Sequence, residues 1–449
     1  MRLRRACVAL VMASAVLSAV WPTGTAAAAQ GLRLARVVRS LTGTHEWFVQ
    51  TYAGYPVLGS YYARHLDRAG RVVQIDDGRL PVSGVSITSP RVDRDAARAK
   101  GNGKDAELVV VPGSPSRLAW AVYSGNGIRT LVDAGTGKVI ARTDLRRYAT
   151  GQGRVFDPSP VVTLRDESLT DQKDADYEAL QPAYRLVTLT DLDDSGFLRG
   201  DYADIGGTGK RAQSPTRQFL FDRSDYRFEQ TMAYYDITQA QRYIQSLGFS
   251  DINNEPQDVH INQYGGDNSF YDPKKDLITL GKGGVDDAED AEVIWHELGH
   301  AIQDSQVPGF GEGHDAGSIG EGFGDYWAAT MSEPVSGGFD VPCIADWDSI
   351  SYTSEIPHCL RRTDLDLTMA DQDGRIHHDG QIWSRALWDM HMALGRARAD
   401  TIILEAQFFF TPDTSFANAA RDTMFAARLL FGRTVAREVR SALEGRGMF

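Results

Sequence analysis

The chain has 449 residues, enough for two or three domains of ordinary size. Its 42% hydrophobic and 24% charged residues are typical of globular proteins and exclude disordered, collagen-like and coiled-coil architectures. The net charge of −13 argues against a general nucleic-acid binder, because neutralising phosphates requires a basic surface.

The first 29 residues have the three parts of a secretory signal peptide. They start with the charged sequence MRLRR, continue with an apolar run over residues 6–16 and end in small residues. The apolar run is short for a membrane span, so a retained anchor is the weaker alternative. We expect cleavage after Ala29 and a secreted, extracellular protein without a membrane anchor.

Residues 30–150 are predicted to form a separate, sheet-rich domain. Residues 31–150 carry a net charge of +8, whereas residues 151–449 carry −24. Helical spacing at residues 32–41 is followed by strand patterns, among them residues 57–66 and 118–122. The small residues and glycines of 149–153 favour an exposed linker, which places the domain boundary after residue 150.

Residues 151–449 are predicted to form the larger domain, with a sheet-rich lobe over 151–285 and a mainly helical lobe over 286–449. A strong helix pattern covers residues 225–247, and strand patterns cover 259–264 and 277–280. The fold class is therefore α+β. Once the signal peptide is removed, Cys343 and Cys359 are the remaining cysteines, and in an oxidising compartment we expect a disulfide rather than two free thiols.

A metal-binding motif, HExxH, follows an acidic segment that is typical of a helix start. Asp286 is the predicted cap and Glu289 holds the capping-box position. Four residues apart on one helix, His296 and His300 project from the same face and can bind one zinc ion. Glu297 lies beside them, placed to take a proton from water. The alternative is a pair of histidines on a helix surface.

Two further groups of residues favour the zinc site. Glu321 and Asp325 share a helix face, so Glu321 can be the third ligand while Asp325 accepts the spare N–H of a ligand histidine. Glycines inside a helix are unfavourable, so Gly322 and Gly324 predict close packing against the HExxH helix. A histidine of the segment at 376–383 can donate to the oxyanion of amide hydrolysis.

Together these motifs resemble the fungalysin–thermolysin family of secreted zinc metalloendopeptidases, over most of the chain. Residues 43–59 (GTHEWFVQTYAGYPVLG) are similar to the family's propeptide module. Residues 268–271 (NSFY) resemble the edge-strand segment whose main chain holds an extended substrate, and the pattern IHxxGxxW at 376–383 resembles the fungalysin form of the active-site histidine motif. Gly320, where thermolysin-type members have Asn, also favours the fungalysin side.

The resemblance implies a propeptide followed by a two-lobed, thermolysin-like domain with the zinc helix between its lobes. It implies that His296, His300 and Glu321 are the zinc ligands and that Glu297 and His377 are catalytic. It also implies that Asp325 contacts a ligand histidine without binding the metal, and that Asn268 and Ser269 bind the substrate. His377 is preferred to His378, with Asp371 or Asp373 as its acidic partner. The chain has no convincing match for the tyrosine that assists the oxyanion in thermolysin-like enzymes. His314 and Tyr326 are candidate substitutes for it, although surface or packing roles are favoured for both.

The predicted function is a secreted zinc metalloendopeptidase made as a zymogen, with peptides or proteins as substrates and its own propeptide as an intramolecular inhibitor. The alternatives are a binding or inhibitory protein with a structural zinc site, and a zinc exopeptidase. One catalytic zinc ion is expected and a monomer is predicted. Glu292 and Glu333 are candidate calcium ligands, although acidic helix faces are usually solvated.

Overall fold

The computed structural model describes residues 30–40, 43–85, 89–124, 127–144, 149–206 and 210–449. The chain divides into two compact units between residues 146 and 147. The predicted signal peptide, residues 1–29, lies outside the described residues. Within the described ranges, no helix is long and apolar enough to cross a membrane.

The described residues of the first unit form two antiparallel sheets and one helix. The five-stranded sheet has the order β1-β2-β4-β5, with β3 paired to β2. Its strands are β1 (Gln30–Arg39), β2 (Gly43–Tyr52), β3 (Tyr55–Pro56), β4 (Tyr61–Asp67) and β5 (Val72–Gly78). Helix α1 (Arg94–Gly101) precedes a four-stranded meander of β6 (Asp105–Val111), β7 (Arg117–Tyr123), β8 (Ile128–Asp133) and β9 (Val139–Asp144).

The helix predicted over residues 32–41 is wrong, because this segment is strand β1. It pairs with β2 from Gln30 to Arg39, with a register shift between Leu34 and Arg36. That shift disturbs the alternation of apolar residues, so that Leu32, Leu34, Val37 and Val38 in one irregular strand imitated helical spacing. Leu32, Leu34 and Val37 are all exposed.

The second unit begins with strands, and the predicted boundary after residue 150 falls inside the first of them, β10 (Ala149–Val155). β10 is the middle strand of a three-stranded sheet, between β11 (Arg185–Leu192) and β13 (Gln218–Phe219). Its glycines serve close packing rather than a flexible linker: a Cβ on Gly151 would lie 2.5 Å from the Arg217 carbonyl oxygen.

A four-stranded sheet follows, with the order β12-β14-β16-β15. Its strands are β12 (Ala203–Gly206), β14 (Gln257–Tyr264), β15 (Phe270–Asp272) and β16 (Leu277–Gly281). The other elements of this part are helix α2 (Pro160–Leu164), a 3-10 turn (Glu178–Ala183) and helix α3 (Arg227–Ser246). The short antiparallel strand β15 lies at the edge of its sheet, because its one neighbour there is β16.

The remainder is mainly helical, which confirms the α+β fold class. It contains α4 (Ala291–Gln306), α5 (His314–Ser332), α6 (Ile376–Leu394), α7 (Arg396–Gln407) and α8 (Phe416–Gly445), which is interrupted at Gly432. Between α5 and α6 lie the two-residue strands β17 (Cys343–Ile344) and β18 (Arg361–Arg362). Three 3-10 turns complete this part: Asp287–Glu289, Asp348–Ser351 and Met369–Asp371.

One continuous hydrophobic core joins the sheet-bearing and helical parts of the second unit. Its members include Phe219 and Phe228 on the sheet side, and Leu298, Phe323 and Leu387 on the helical side. Helix α4 lies within this core and packs against α3, α5 and the strands β15 and β16. The expected disulfide is confirmed, since Cys343 and Cys359 are joined by a 2.04 Å S–S bond.

Candidate active site

Helix α4 carries the HExxH motif, but it begins later than predicted. Its cap is Asp290, whose side chain accepts the N–H of Glu292 at 3.0 Å. Asp286 makes no capping hydrogen bond, because its carboxylate instead accepts the amide of Asn262 at 3.0 Å. Glu289 is bound by the buried guanidinium of Arg223 at 2.8 Å. Asp286 and Glu289 therefore interact with residues distant in the chain instead of capping helix α4.

The side chains of His296, His300 and Glu321 converge between α4 and α5. Glu321 Oε2 lies 3.4 Å from His296 Nε2, and Glu321 Oε1 lies 3.7 Å from His300 Nε2. Ligands 2.0–2.2 Å from a tetrahedral zinc ion would be about 3.3–3.5 Å apart. The three donors therefore have nearly the separations that a zinc site needs, and the two-imidazole, one-carboxylate set is one that zinc uses in catalytic sites.

Glycines bring the three helices of the site into close contact; Gly324 packs against the HExxH helix as predicted, whereas Gly322 packs against α6 instead. A Cβ on Gly324 would lie 2.7 Å from His296 Nδ1, and one on Gly299 would lie 2.9 Å from the Cα of Gly324. On the other face of α5, a Cβ on Gly322 would lie 2.3 Å from the carbonyl oxygen of Gly380 in α6. Any larger side chain would push the ligand-bearing helices apart.

Asp325 contacts His296 and is itself held by an arginine. Its Oδ1 lies 2.9 Å from His296 Nδ1, which leaves Nε2 facing Glu321. Arg361 donates to both carboxylate oxygens, from Nε at 2.7 Å and from Nη2 at 2.8 Å. Asp325 is completely buried, and the charge of Arg361 holds its pKa below the usual value despite that burial.

Arg361 was not identified from the sequence. It lies in β18, two residues after a disulfide cysteine, and its side chain lines the cleft. A buried Asp325 does imply a cationic partner, because an unpaired buried charge is very unfavourable. No local pattern in the sequence, however, indicates which of the 47 lysines and arginines supplies that charge.

Glu297 is buried beside the three donors, and its Oε2 has no hydrogen-bond partner among the described residues. Burial raises the pKa of its carboxyl to about 7. Burial also lowers the pKa of His300 to about 4, which favours the neutral imidazole that a metal requires. At His296 burial opposes protonation, but hydrogen bonds with Asp325 and Glu321 outweigh it and raise the pKa to about 10; a metal at Nε2 would displace that proton.

His377, in the first turn of α6, faces the same cleft. Its Nε2 lies 3.3 Å from Glu321 Oε2, and the side chain is 60% exposed. His378 points elsewhere, with its Nδ1 3.0 Å from the carboxylate of Asp379. The geometry thus supports the choice of His377 over His378 as the cleft histidine.

Neither predicted acidic partner contacts His377. Asp371 completes the capping box of a 3-10 turn by accepting the backbone N–H of Thr368 at 2.9 Å, and Asp373 pairs with Arg375 and with His378. The other two candidates, both proposed as substitutes for a tyrosine, are also engaged away from the metal ligands. His314 lies 2.9 Å from Asp379, and the buried hydroxyl of Tyr326 donates to Asp400 at 2.5 Å.

The proposed calcium candidates do not converge. Glu292 is buried and accepts the N–H of Ala345 at 2.7 Å. Glu333 lies at the end of α5, 3.3 Å from His391 Nε2. Among the described residues, neither belongs to a group of three potential metal ligands.

The cleft has a volume of about 520 Å³ and is lined on one side by the donor helices and on the other by the edge of the β12-β14-β16-β15 sheet. Asn268 and Ser269 line it directly before β15, which starts at Phe270. The Ser269 hydroxyl donates to Asp287 at 2.5 Å and accepts the N–H of Gly281 at 3.2 Å. An extended peptide can therefore add to this edge next to the metal donors.

Comparisons with known proteins match two regions of the chain to protein families. The Fungalysin/Thermolysin Propeptide Motif matches residues 30–77, and the Fungalysin metallopeptidase family matches residues 226–403, which include the metal donors, Glu297 and His377. No curated protein matches the chain. Among solved structures, the precursor of protealysin, a metalloproteinase from Serratia proteamaculans, is similar at 19% identity with a TM-score of 0.45, over 56% of this chain and 88% of its own. The chain therefore contains a fungalysin metallopeptidase region at residues 226–403, preceded at residues 30–77 by a propeptide motif of the fungalysin/thermolysin type.

Proposed function

We propose that this metallopeptidase is a zinc-dependent endopeptidase whose metal is held by His296, His300 and Glu321. The observation that carries the proposal is the convergence of these three donors, at separations of 3.4 and 3.7 Å. Beside them lies the buried carboxylate of Glu297, whose Oε2 has no hydrogen-bond partner among the described residues. When bound, zinc acts as a Lewis acid that lowers the pKa of water and polarises the substrate carbonyl.

Glu297 is the proposed general base and acid. Its Oε2 takes a proton from the attacking water as the new C–O bond forms. The same carboxyl then gives the proton to the amide nitrogen as the C–N bond breaks. Burial raises the pKa of this carboxyl and favours the gain of a proton, whereas the positive charge of a zinc ion beside it would favour the loss of that proton to the leaving amine.

His377 is the proposed donor to the oxyanion. Its exposed imidazole at the mouth of the cleft can reach a substrate carbonyl whose oxygen becomes negative during attack. Asp325 acts through His296, because it holds that ring in the tautomer that leaves Nε2 free for the metal. Asn268 and Ser269 are proposed to align the extended substrate along the sheet edge.

The substitution Glu297→Gln tests the assignment of the base. It preserves the shape of the side chain but removes its basicity, so we expect zinc binding to persist and peptide cleavage to be lost. The measurements are the zinc content of the purified protein and the hydrolysis of casein. Normal cleavage by the variant would refute this role of Glu297.

The cleavage products distinguish an endopeptidase from an exopeptidase. A peptide substrate blocked at both termini should be cut internally, and cleavage should stop when a chelator is added. An exopeptidase would leave the doubly blocked peptide intact and release terminal residues from the unblocked one. If neither peptide is cut by the protein freed of its propeptide, a binding role with a structural zinc ion is favoured.

We further propose that the protein is secreted, that residues 1–29 are its signal peptide and that the sheet-rich first unit is its inhibitory propeptide. N-terminal sequencing of the precursor and of the active species checks both cleavages. Two new N-termini are expected, one near residue 30 and one near the division between the two units. A single active species that retains the first unit would contradict removal of the propeptide, and size-exclusion chromatography tests the expected monomer.

A further inference from the structure

A second group of potential metal ligands lies in the same cleft, apart from the proposed zinc ligands. Asp267, Asp287 and Asp348 each direct one carboxylate oxygen to within 4.8 Å of the other two. They come from three segments: the loop before β15, the 3-10 turn before α4, and the 3-10 turn inside the disulfide-closed loop. All three line the cleft, so an ion can reach them from solvent.

The carboxylates of this trio lack the partners that buried charges require. Asp287 is 1% exposed and Asp348 is 2% exposed. In each of the three residues, Oδ1 is buried and accepts no hydrogen bond from any described residue. Burial raises the pKa of all three carboxyls, and neighbouring carboxylates raise the pKa of Asp287 and Asp348 further. The side-chain hydrogen bonds that the trio accepts come from the neutral hydroxyls of Tyr352 and Ser269, which supply no counter-charge.

Such an arrangement is unfavourable without a counter-ion. Several buried carboxylates can remain together when they are protonated or when a cation binds them. The nearby buried carboxylate of Glu289 differs from the trio in having a cationic partner, since Arg223 binds it at 2.7 Å. The trio has an opening to solvent in place of an arginine.

We propose that Asp267, Asp287 and Asp348 bind a calcium ion that fixes the substrate-binding edge of the cleft. Oxygen-only ligands suit a hard cation, and two oxygens on one calcium ion lie at most about 5 Å apart. Magnesium requires shorter bonds and near-ideal octahedral geometry, which three side chains from separate segments do not readily provide.

The position of the trio indicates what the ion would do. Asp267 directly precedes Asn268, the first residue proposed to contact substrate. Asp287 already accepts the Ser269 hydroxyl at 2.5 Å, and the Tyr352 hydroxyl lies 3.4 Å from the Asp267 carbonyl oxygen. An ion bound here would therefore tie the edge segment to the start of the zinc helix and to the disulfide loop.

Calcium binding can be measured on the full chain carrying Glu297→Gln, which avoids self-digestion, in zinc-supplemented and calcium-depleted buffer. Titration calorimetry with CaCl2 should show a site that Asp348→Asn and Asp267→Asn each weaken about tenfold or more. Glu355→Gln removes an exposed charge from the same disulfide loop and should leave the isotherm unchanged. MgCl2 should not reproduce the titration.

Thermal unfolding gives a second test, in which the sign of the effect is decisive. Without calcium, Asp348→Asn relieves carboxylate repulsion and should raise Tm; with calcium, it removes a ligand and should lower Tm relative to the parent. Asp267→Asn, at a less buried position, gives the same test if Asp348→Asn does not fold. Identical calcium isotherms for parent and variants, an equal response to magnesium, or a rise in Tm in both buffers would overturn the proposal. None of these measurements depends on peptide hydrolysis, so this inference and the proposed function fail separately.

Discussion

The substitution Asp325→Asn isolates the contribution of the carboxylate behind the first proposed zinc ligand. The two side chains have the same shape, so packing between α4 and α5 is retained. In the parent, Asp325 accepts three N–H groups, one from His296 Nδ1 at 2.9 Å and two from Arg361 at 2.7 and 2.8 Å. The asparagine has one acceptor oxygen, and its amide nitrogen must face another donor. At least one of the three hydrogen bonds is therefore lost.

The structure indicates two energetic effects of Asp325→Asn. The guanidinium of Arg361 would lose its hydrogen-bonded counter-charge in a largely buried position, where only the charges of Glu321 and Glu297 would remain nearby. Breaking a buried ion pair costs about 3–5 kcal/mol of stability. The His296 ring would lose the partner that fixes its tautomer. Loss of such a partner typically weakens metal binding by about 10–100-fold, which corresponds to about 1.4–2.8 kcal/mol.

Both effects can be measured in the Glu297→Gln background. Competition with a chromogenic chelator gives the zinc affinity, and urea unfolding in zinc-free buffer gives the stability without the metal contribution. Asp371→Asn, at an acidic residue that caps an exposed turn, is the matched control and should leave zinc affinity unchanged. Zinc affinity within about twofold of the parent for Asp325→Asn would refute the positioning role of Asp325.

Three further predictions concern packing, the disulfide and pH. Gly324→Ala places a methyl group 2.7 Å from the His296 ring and should lower zinc affinity by about tenfold or more, whereas Gly445→Ala, in open space, should not. Replacing both disulfide cysteines by serine should lower the free energy of unfolding by about 3 kcal/mol in urea titrations. Burial raises the pKa of Asp157 to about 6, so the native state binds more protons than the unfolded state between about pH 4 and 6, and its stability falls as pH rises through that window. Asp157→Asn should therefore stabilise the protein by about 3 kcal/mol at pH 8 and have no effect near pH 3, as measured by urea unfolding at both pH values; equal effects at the two values would contradict this account.

The sequence predicted the parts of the site that depend on local spacing. The four-residue interval between His296 and His300, and that between Glu321 and Asp325, each fix a shared helix face irrespective of the rest of the fold. The glycines of α5 likewise predicted a close helix contact, because their unfavourable effect on a helix needs a compensating reason. The structure agrees with each of these expectations, and the family match covers the same residues.

The expectations that failed depend on contacts between distant segments. Asp286 and Glu289 have suitable identities and spacing for a helix start, but Asn262 and Arg223, far away in the chain, compete for their carboxylates. Arg361 could not be identified from the sequence as the partner of Asp325, because the pairing depends on how the segment after the disulfide-closed loop packs against α5. The pattern at residues 32–41 failed for a different reason, since a β-bulge changes the period of a strand.

The glycine contacts on both faces of α5 have a consequence for motion. Since α5 touches α4 on one side and α6 on the other at backbone distance, the proposed zinc ligands and His377 belong to one rigid three-helix block. Opening the cleft by separating these helices would break close contacts along their length. Any widening that admits or releases a peptide must therefore take place on the opposite wall, where a three-residue edge strand meets solvent. Efforts to change the selectivity of this enzyme should accordingly be directed at that wall, because Gly299, Gly322 and Gly324 leave no space for larger side chains between the helices.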